Sequence, residues 1–427
     1  MRTYLMLCWL FIAGLSWADD ESVIIRPELI KSTLIGSDGS ESVTSVAIGP
    51  QGHVYLAGWI FGGTFDTGGA KLIKHMSEPP FEEPFPGFFG GSGDIFVIKF
   101  APDLSEVEYY AIIGGFSRDE ALAIAVDAQD CAVILAHTAS ENFPTKSPIQ
   151  ANLRGQTDAA ILKLSPNGDE LLFSTFLGGS DVEFDFGFTQ IRHAGLVIDE
   201  DGEVTIAGTT YSQDFPTTNN AFQRNSGGGA DGFVARLNAD GTQLLYASYI
   251  GGSEEDLCQT LAVDSVGNAT IAGSTRSTDF PLERPLNRTR QSSSQREPFL
   301  ARLRADGTAL EFSTYLMGEG TVNALVLTAS DNLVLAGQST GGLPMPGHAL
   351  QPVASDATQG FVLEFNPSVT AISYASYLGG QRDQARALAS DANGNLVVLG
   401  STSSEKFVTR NGFPNENPGL LFSMDAF

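Results

Sequence analysis

Tyr246-Ala-Ser-Tyr-Ile-Gly-Gly-Ser253, then Leu261-Ala-Val-Asp-Ser-Val-Gly-Asn268, Thr278-Asp-Phe-Pro281 and Phe299-Leu-Ala-Arg-Leu303 make up a pattern that returns six times along the chain. Its Gly-Gly element recurs at Gly114, Gly178, Gly251 and Gly379, with degenerate copies at Gly36 and at Met317-Gly318. The spacing is roughly 60 to 80 residues per unit, the length of one supersecondary module in a repeat architecture.

Each unit holds two hairpin signals. The first runs from Ala262 to Gly273, two short apolar runs around an Asp/Asn/Gly turn, with echoes at Ala47 to Gly58, Ala125 to Ala136, Val197 to Gly208, Val326 to Gly337 and Ala389 to Gly400. The second runs from Asp231 to Ile250, closes on Ala239-Asp-Gly241 and is echoed at Asp94, Asp158, Glu297 and Gln359. Phe233, Ala235 and Leu237 alternate with Val234 and Arg236, the period-two pattern of strands. Four strands per unit and no helical periodicity predict an all-β chain, a six-bladed β-propeller with four-stranded blades.

The ends predict how the ring closes. The last unit stops at Gly419-Leu-Leu-Phe-Ser-Met-Asp-Ala-Phe427, which matches only a third strand. Pro27 to Gly36 resembles a fourth strand with no third before it. Pairing Glu28–Ile35 with Gly419–Met424 would close the ring and remove two exposed edges.

Arg2, the apolar run Tyr4 to Leu15 and the small-residue site Ser16-Trp-Ala18 read as a cleaved secretory signal peptide over 1–18, leaving one propeller domain over 19–427. A secreted, periplasmic or cell-surface monomer without a transmembrane segment is the expectation. Without residues 1–18 the chain keeps 23 Lys and Arg against 50 Asp and Glu. Such an acidic surface argues against nucleic acid as a partner. Cys131 and Cys258 fall in non-neighbouring repeats and predict neither a disulfide framework nor a zinc site.

Asn142-Phe-Pro-Thr145, Asp214-Phe-Pro-Thr-Thr218, the Tyr-x-x-Tyr-x-Gly-Gly element and the Ala-Val-Asp-x-x-Gly-Asn element together resemble the bacterial β-propeller repeat family known as SBBP. The likeness spans about Pro27 to Phe427; it thins in unit one, where Phe61-Gly-Gly-Thr-Phe65 replaces the Asp-Phe-Pro box, and in unit five, where Gly342-Leu-Pro344 does. The resemblance implies an exported bacterial propeller with no general enzymatic assignment. The family name implies seven blades; this chain counts six.

In such a blade the long connections share one face: the Gly-Gly loops, the Asp-Phe-Pro loops, an insert from Thr64 to Gly93 and another from Asp181 to His193. Long loops carry function more often than minimal turns. The expected ligand contacts are therefore His75, Phe81, Phe85, Phe88, Phe89, Phe184, Phe186 and His193, with a protein or a glycan as partner. Asp119, Asp256 and Asp383 each precede a turn Asp by eight residues, and Glu41 holds the matching place in unit one. These four carboxylates could hold calcium at a channel mouth, since hard cations take several oxygen ligands. Alternatively each accepts N–H bonds within its own Gly-Gly loop. Asp199-Glu-Asp-Gly-Glu203 has the flavour of a calcium loop but reads as a solvated turn, and Phe143, Phe215 and Phe280 read as inter-blade plugs.

For catalysis the chain offers five scattered histidines and no nucleophile elbow, phosphate loop or dinucleotide fingerprint. The leading expectation is an exported noncatalytic scaffold that binds a protein or glycan on the long-loop face. The rival is a calcium-dependent hydrolase or lactonase at the carboxylate ring, to which Gln259 and Asn323 would add oxygens.

Overall fold

The computed structural model describes residues 5–10, 29–37, 39–62, 71–76, 93–184, 194–290, 296–316, 318–346, 349–354, 357–390, 395–404 and 425–426. Among these there are twenty-six strands and no helix. The strands are β1 (Leu5–Leu10), β2 (Leu29–Ile35), β3 (Ser40–Ile48), β4 (Val54–Phe61), β5 (Lys71–Met76), β6 (Asp94–Phe100), β7 (Val107–Gly114), β8 (Asp119–Val126) and β9 (Ala132–Thr138). There follow β10 (Asp158–Leu164), β11 (Leu171–Leu177), β12 (Gly195–Ile198), β13 (Val204–Thr210), β14 (Asp231–Leu237), β15 (Leu244–Ile250), β16 (Asp256–Val263), β17 (Ala269–Thr275), β18 (Glu297–Leu303) and β19 (Leu310–Tyr315). The last are β20 (Glu319–Leu327), β21 (Leu333–Gly341), β22 (Gln359–Phe365), β23 (Ile372–Leu378), β24 (Gln384–Ser390), β25 (Leu396–Thr402) and β26 (Asp425–Ala426).

Four sheets are four-stranded antiparallel meanders, β8 to β11, β12 to β15, β16 to β19 and β20 to β23, as the two-hairpin pattern predicts. The chain forms two compact units, one of Met1–Cys8, Lys31–Ser226 and Ala230–Ile250, the other of Trp9–Ile30, Gly227–Gly229 and Gly251–Phe427. In the first unit β8 lies beside both β3 and β12; in the second, β20 lies beside both β16 and β24. Hydrogen bonds tie these first strands together: Thr44 Oγ1 donates to Ala121 O at 2.7 Å, and Asn323 Nδ2 to Ala385 O at 2.8 Å.

Two details go beyond the sequence expectation. The sheet of β3, β4, β6 and β7 gains a fifth strand, because Lys71–Met76 of the first insert pairs in parallel with the open edge of β7. β2 pairs with β1, a strand within the stretch expected to be a leader. In the last sheet Asp425–Ala426 pairs with β25, the place expected of a third strand, while Gly419–Met424, and with it the expected pairing to Glu28–Ile35, lies outside the described residues.

The first turns are Asx turns. Asp264 Oδ1 accepts from Val266 N at 3.2 Å and Asn268 N at 2.8 Å, Asp127 caps Gln129 and Cys131, and Asp199 caps Asp201 and Glu203. Asp199 is further held by Arg236, which also donates to Glu203 at 2.7 Å, so this acidic stretch is an ion-paired turn. Lys163 on Asp127 at 2.7 Å and Lys99 on Asp130 at 2.8 Å repeat the device. At Asp130, His53 Nδ1 joins at 2.9 Å.

The glycine in the second strand of four of the sheets has a packing reason. Gly58, Gly208, Gly273 and Gly337 stand directly opposite Phe96, Phe233, Phe299 and Phe361, all fully buried. A Cβ on Gly273 would lie 1.9 Å from Leu257 O and 3.0 Å from the Phe299 ring. The missing side chain thus admits both the bulged first strand and the third-strand aromatic.

Candidate functional site

The Gly-Gly loops lead into the first strand of the next sheet, and each loop closes on an acid. Asp119, fully buried, accepts from Gly115 N at 2.7 Å, from Ser140 Oγ at 2.8 Å and from the Thr138 hydroxyl. Asp256 accepts from Gly252 N at 2.6 Å and Ser277 Oγ at 2.8 Å. Asp383 accepts from Gly380 N, Gln381 N at 2.9 Å, Thr402 Oγ1 at 2.5 Å, Ser403 N at 3.2 Å and Ser404 Oγ at 2.6 Å. Glu41, half-buried, accepts from the Ser37 hydroxyl. This is the loop-stapling geometry, with the oxygens that a cation would use already serving N–H and O–H donors. Among the described residues no group of three or more His, Cys, Asp or Glu is arranged to hold a metal ion.

Sequence reasoning missed Glu183, the equivalent in the third sheet. It is fully buried and accepts from Gly179 N at 3.3 Å and Thr210 Oγ1 at 2.8 Å. The insert that follows it breaks the eight-residue spacing to the turn Asp. Spacing from the second Gly of each Gly-Gly pair would have found it, since Asp119, Glu183 and Asp256 all lie four residues on.

Two of these acids meet a second buried carboxyl from a third strand. Glu183 and Asp158 converge beside Gly178, where an added Cβ would lie 2.5 Å from Glu183 Oε2 and 2.4 Å from Asp158 Oδ1. Burial drives both upward, Glu183 to about 8, with the Asp158 charge adding to it. Burial likewise lifts Asp94 to about 8, helped by the charge of Asp119, and among the described residues neither Asp94 oxygen has a hydrogen-bond partner. Asp119 rises only to about 6, because burial is opposed by its three donors.

These shifts set a pH dependence. A carboxyl raised in the fold from the ordinary 4.5 to about 8, as Glu183 is, binds a proton that the unfolded chain has released. Stability is then fully present below about pH 4.5 and is lost as pH rises towards 8. Urea midpoints should fall between about pH 5 and pH 8.5, and Glu183→Gln or Asp94→Asn should flatten that fall. A stability that rises over this range in the wild type would contradict the assignment.

The Asp-Phe-Pro boxes are structural throughout. Asp214 caps the preceding loop through Ser180 N at 2.7 Å, and Asp279 does so through Ser253 N at 2.9 Å. Phe143, Phe215 and Phe280 are each only 3% exposed, and Phe215 stacks on Phe233 with ring centroids 4.4 Å apart. The Phe215 N–H donates to Tyr249 Oη at 2.8 Å, and that hydroxyl donates to Ser212 O at 2.7 Å.

Of the expected ligand contacts, Phe184 is instead a core residue. It is 5% exposed, packs edge-on to Phe233 at 5.6 Å and fills the space beside Gly208, whose Cβ would sit 2.1 Å from its ring. An aromatic-rich insert gives no sign of which ring turns inward. His75 sits in β5 beside Ile113 of β7. Phe81, Phe85, Phe88, Phe89, Phe186 and His193 lie outside the described residues.

A different constellation occupies the loop end of the first unit. A cleft of about 320 Å³ is lined by Ser40, Trp59, Phe61, Arg118 and Glu120. Ser40 opens β3, Trp59 and Phe61 end β4 on one face, and Arg118 and Glu120 flank the start of β8. Phe61 is 45% exposed, whereas Glu120 is buried and holds the Arg118 guanidinium as an ion pair. Behind Glu120 lies fully buried His137, Nε2 3.8 Å from the carboxylate, its pKa pushed down to about 3 by burial and by Arg118. The imidazole is therefore neutral. A second depression, about 510 Å³ among Asn268, Arg284, Arg304, Ala305, Asp306 and Glu311, contains no aromatic side chain.

No protein-family model matches the chain, and no curated protein matches it. Solved structures similar to it include a protein of unknown function from Dyadobacter fermentans, at 12% identity and TM-score 0.42, covering 86% of this chain and 92% of that one. A gluconolactonase from Xanthomonas campestris is similar at 12% identity and TM-score 0.35, covering 86% of each chain. A protein of unknown function from Bacteroides caccae is similar at 9% identity and TM-score 0.37, covering 82% of this chain and 90% of that one. Likeness at this level specifies neither activity nor ligand.

Proposed function

We propose that this chain is an exported, SBBP-like β-propeller scaffold that binds a protein or glycan ligand on the face of its Gly-Gly loops, without catalysis of its own. The observation that carries the reading is the cleft of Trp59, Phe61, Arg118 and Glu120, where exposed aromatic surface meets an oriented ion pair at the loop end of the sheets. Apolar walls with a few convergent polar groups are the usual make-up of a ligand site. The long-loop face is supported by this placement, although the residues that line the cleft differ from those expected of the inserts.

The same proposal takes the six sheets from β3 to β26 as six blades of one closed ring. Support comes from each unit by itself, since three sheets stand side by side through their first strands in both. Val46 and Ile48 of β3 are 57% and 55% exposed, and Val397 and Leu399 of β25 are 46% and 55% exposed, leaving apolar faces of the kind that ring closure would cover.

The binding reading is tested with Trp59→Ala/Phe61→Ala against arrayed glycans and secreted proteins. A ligand retained by the wild type should be weakened at least ~10-fold by the double variant, in line with aromatic anchors dominating binding energy. Equal retention by a double variant with unchanged melting would place the site elsewhere.

A further inference from the structure

Resting on the binding reading above, we propose that the cleft is a subsite for a neutral saccharide, one pyranose ring lying on Trp59 and Phe61 with adjacent hydroxyls against Arg118 and Glu120. Each part of the cleft contributes an argument. Trp59 is half-buried and so held in place, and the Phe61 ring beside it is 45% exposed, offering flat apolar surface at a wet mouth. A sugar ring presents such a surface on its C–H face and hydroxyls around its rim. Aromatic side chains supply large contact area at low entropy cost.

The polar half suits hydroxyls better than charges. The Arg118 side chain is 41% exposed and Glu120 only 1%, so the buried carboxylate fixes a guanidinium whose outer edge reaches solvent. A guanidinium donates only and a carboxylate accepts only, whereas a hydroxyl does both. Two neighbouring hydroxyls can therefore accept side by side from the outer edge of the Arg118 fork, which Glu120 holds in place from behind.

Charge decides against an acidic sugar. The Arg118 charge is already neutralised by Glu120, and His137 behind them is uncharged. The whole chain carries a net charge of −26, which repels a polyuronate before contact. A cleft of about 320 Å³ lies at the small end of ligand sites, room for a sugar unit or two rather than a folded epitope.

Tryptophan fluorescence tests this in the full chain. Trp9, Trp17 and Trp59 are its three tryptophans, so a Trp9→Phe/Trp17→Phe background leaves Trp59 as the sole reporter. Cellotetraose and mannotetraose serve as neutral probes, tetragalacturonate as the acidic one. The expected result is a saturable Trp59 shift with at least one neutral probe, weakened at least ~10-fold by Phe61→Ala and by Arg118→Gln but not by Arg304→Ala in the other depression. Melting curves confirm that each variant is folded. Tighter binding of tetragalacturonate than of either neutral probe would overturn the neutral class. A Trp59 response to a protein ligand and to no saccharide would overturn the saccharide and leave the binding cleft standing. If a ligand captured by the protein binds without moving Trp59 fluorescence, both the subsite and the cleft reading fail.

Discussion

Asp383→Ala should destabilise the protein by about 3–5 kcal/mol, the largest effect of any loop substitution, because five donors converge on this one buried carboxylate. Gly380 N, Gln381 N, Ser403 N and the hydroxyls of Thr402 and Ser404 all converge on this fully buried carboxylate. A buried donor left unmade costs roughly 1–3 kcal/mol, and bonds to a charged acceptor lie at the upper end. Gly380 N and Gln381 N keep Ser404 Oγ as a second acceptor, but Ser403 N loses its partner and the Thr402 and Ser404 hydroxyls lose a charged acceptor. Urea unfolding measures the loss. Asp279→Ala is the control: its carboxylate serves the exposed Ser253, so the cost should stay within about 1 kcal/mol. Equal costs for the two would mean that burial of the acid is not what stabilises the loop.

Gly273→Ala should cost about 2–4 kcal/mol despite adding a single methyl group. The added Cβ would lie 1.9 Å from the Leu257 carbonyl oxygen, a backbone atom of the paired strand, and 3.0 Å from the Phe299 ring. Neither can withdraw cheaply, since Leu257 precedes the bulge between Cys258 and Thr260 and Phe299 is fully buried. Gly337→Ala should behave alike, with its Cβ 2.0 Å from Thr321 O. Trimming the ring in Gly273→Ala/Phe299→Leu would not rescue the first contact. A cost under about 0.5 kcal/mol for Gly273→Ala would show that the strands separate freely there.

The repeat is legible in the sequence because local chemistry recurs in each unit. The Asx turn at Asp264, the Gly opposite Phe299 and the cap at Asp279 are satisfied within a few dozen residues, so each leaves the same letters in most copies. Glu183 escaped because an insert follows it, although its four-residue distance from Gly179 is intact. The cleft was not legible for a different reason. Trp59 and Phe61 belong to one sheet, Arg118 and Glu120 to the next, and only the side-by-side packing of β3 and β8 brings them together. In the sequence, Phe61 reads merely as the loss of an Asp-Phe-Pro box. The fifth strand, β5, was hidden likewise, since a strand added in parallel to an outer edge needs no turn signal.

In the proposed division of labour the buried acids Asp119, Asp256 and Asp383 staple loops and the cleft binds. Elemental analysis of the purified protein, with thermal melting in calcium and in chelator, tests it most directly. Staples already supplied with N–H and O–H donors predict a melting temperature that neither calcium nor chelator moves, and no stoichiometric metal. A stoichiometric calcium ion whose removal lowers the melting temperature, with the loss abolished in Asp119→Asn or Asp383→Asn, would contradict the account and restore the hydrolase reading.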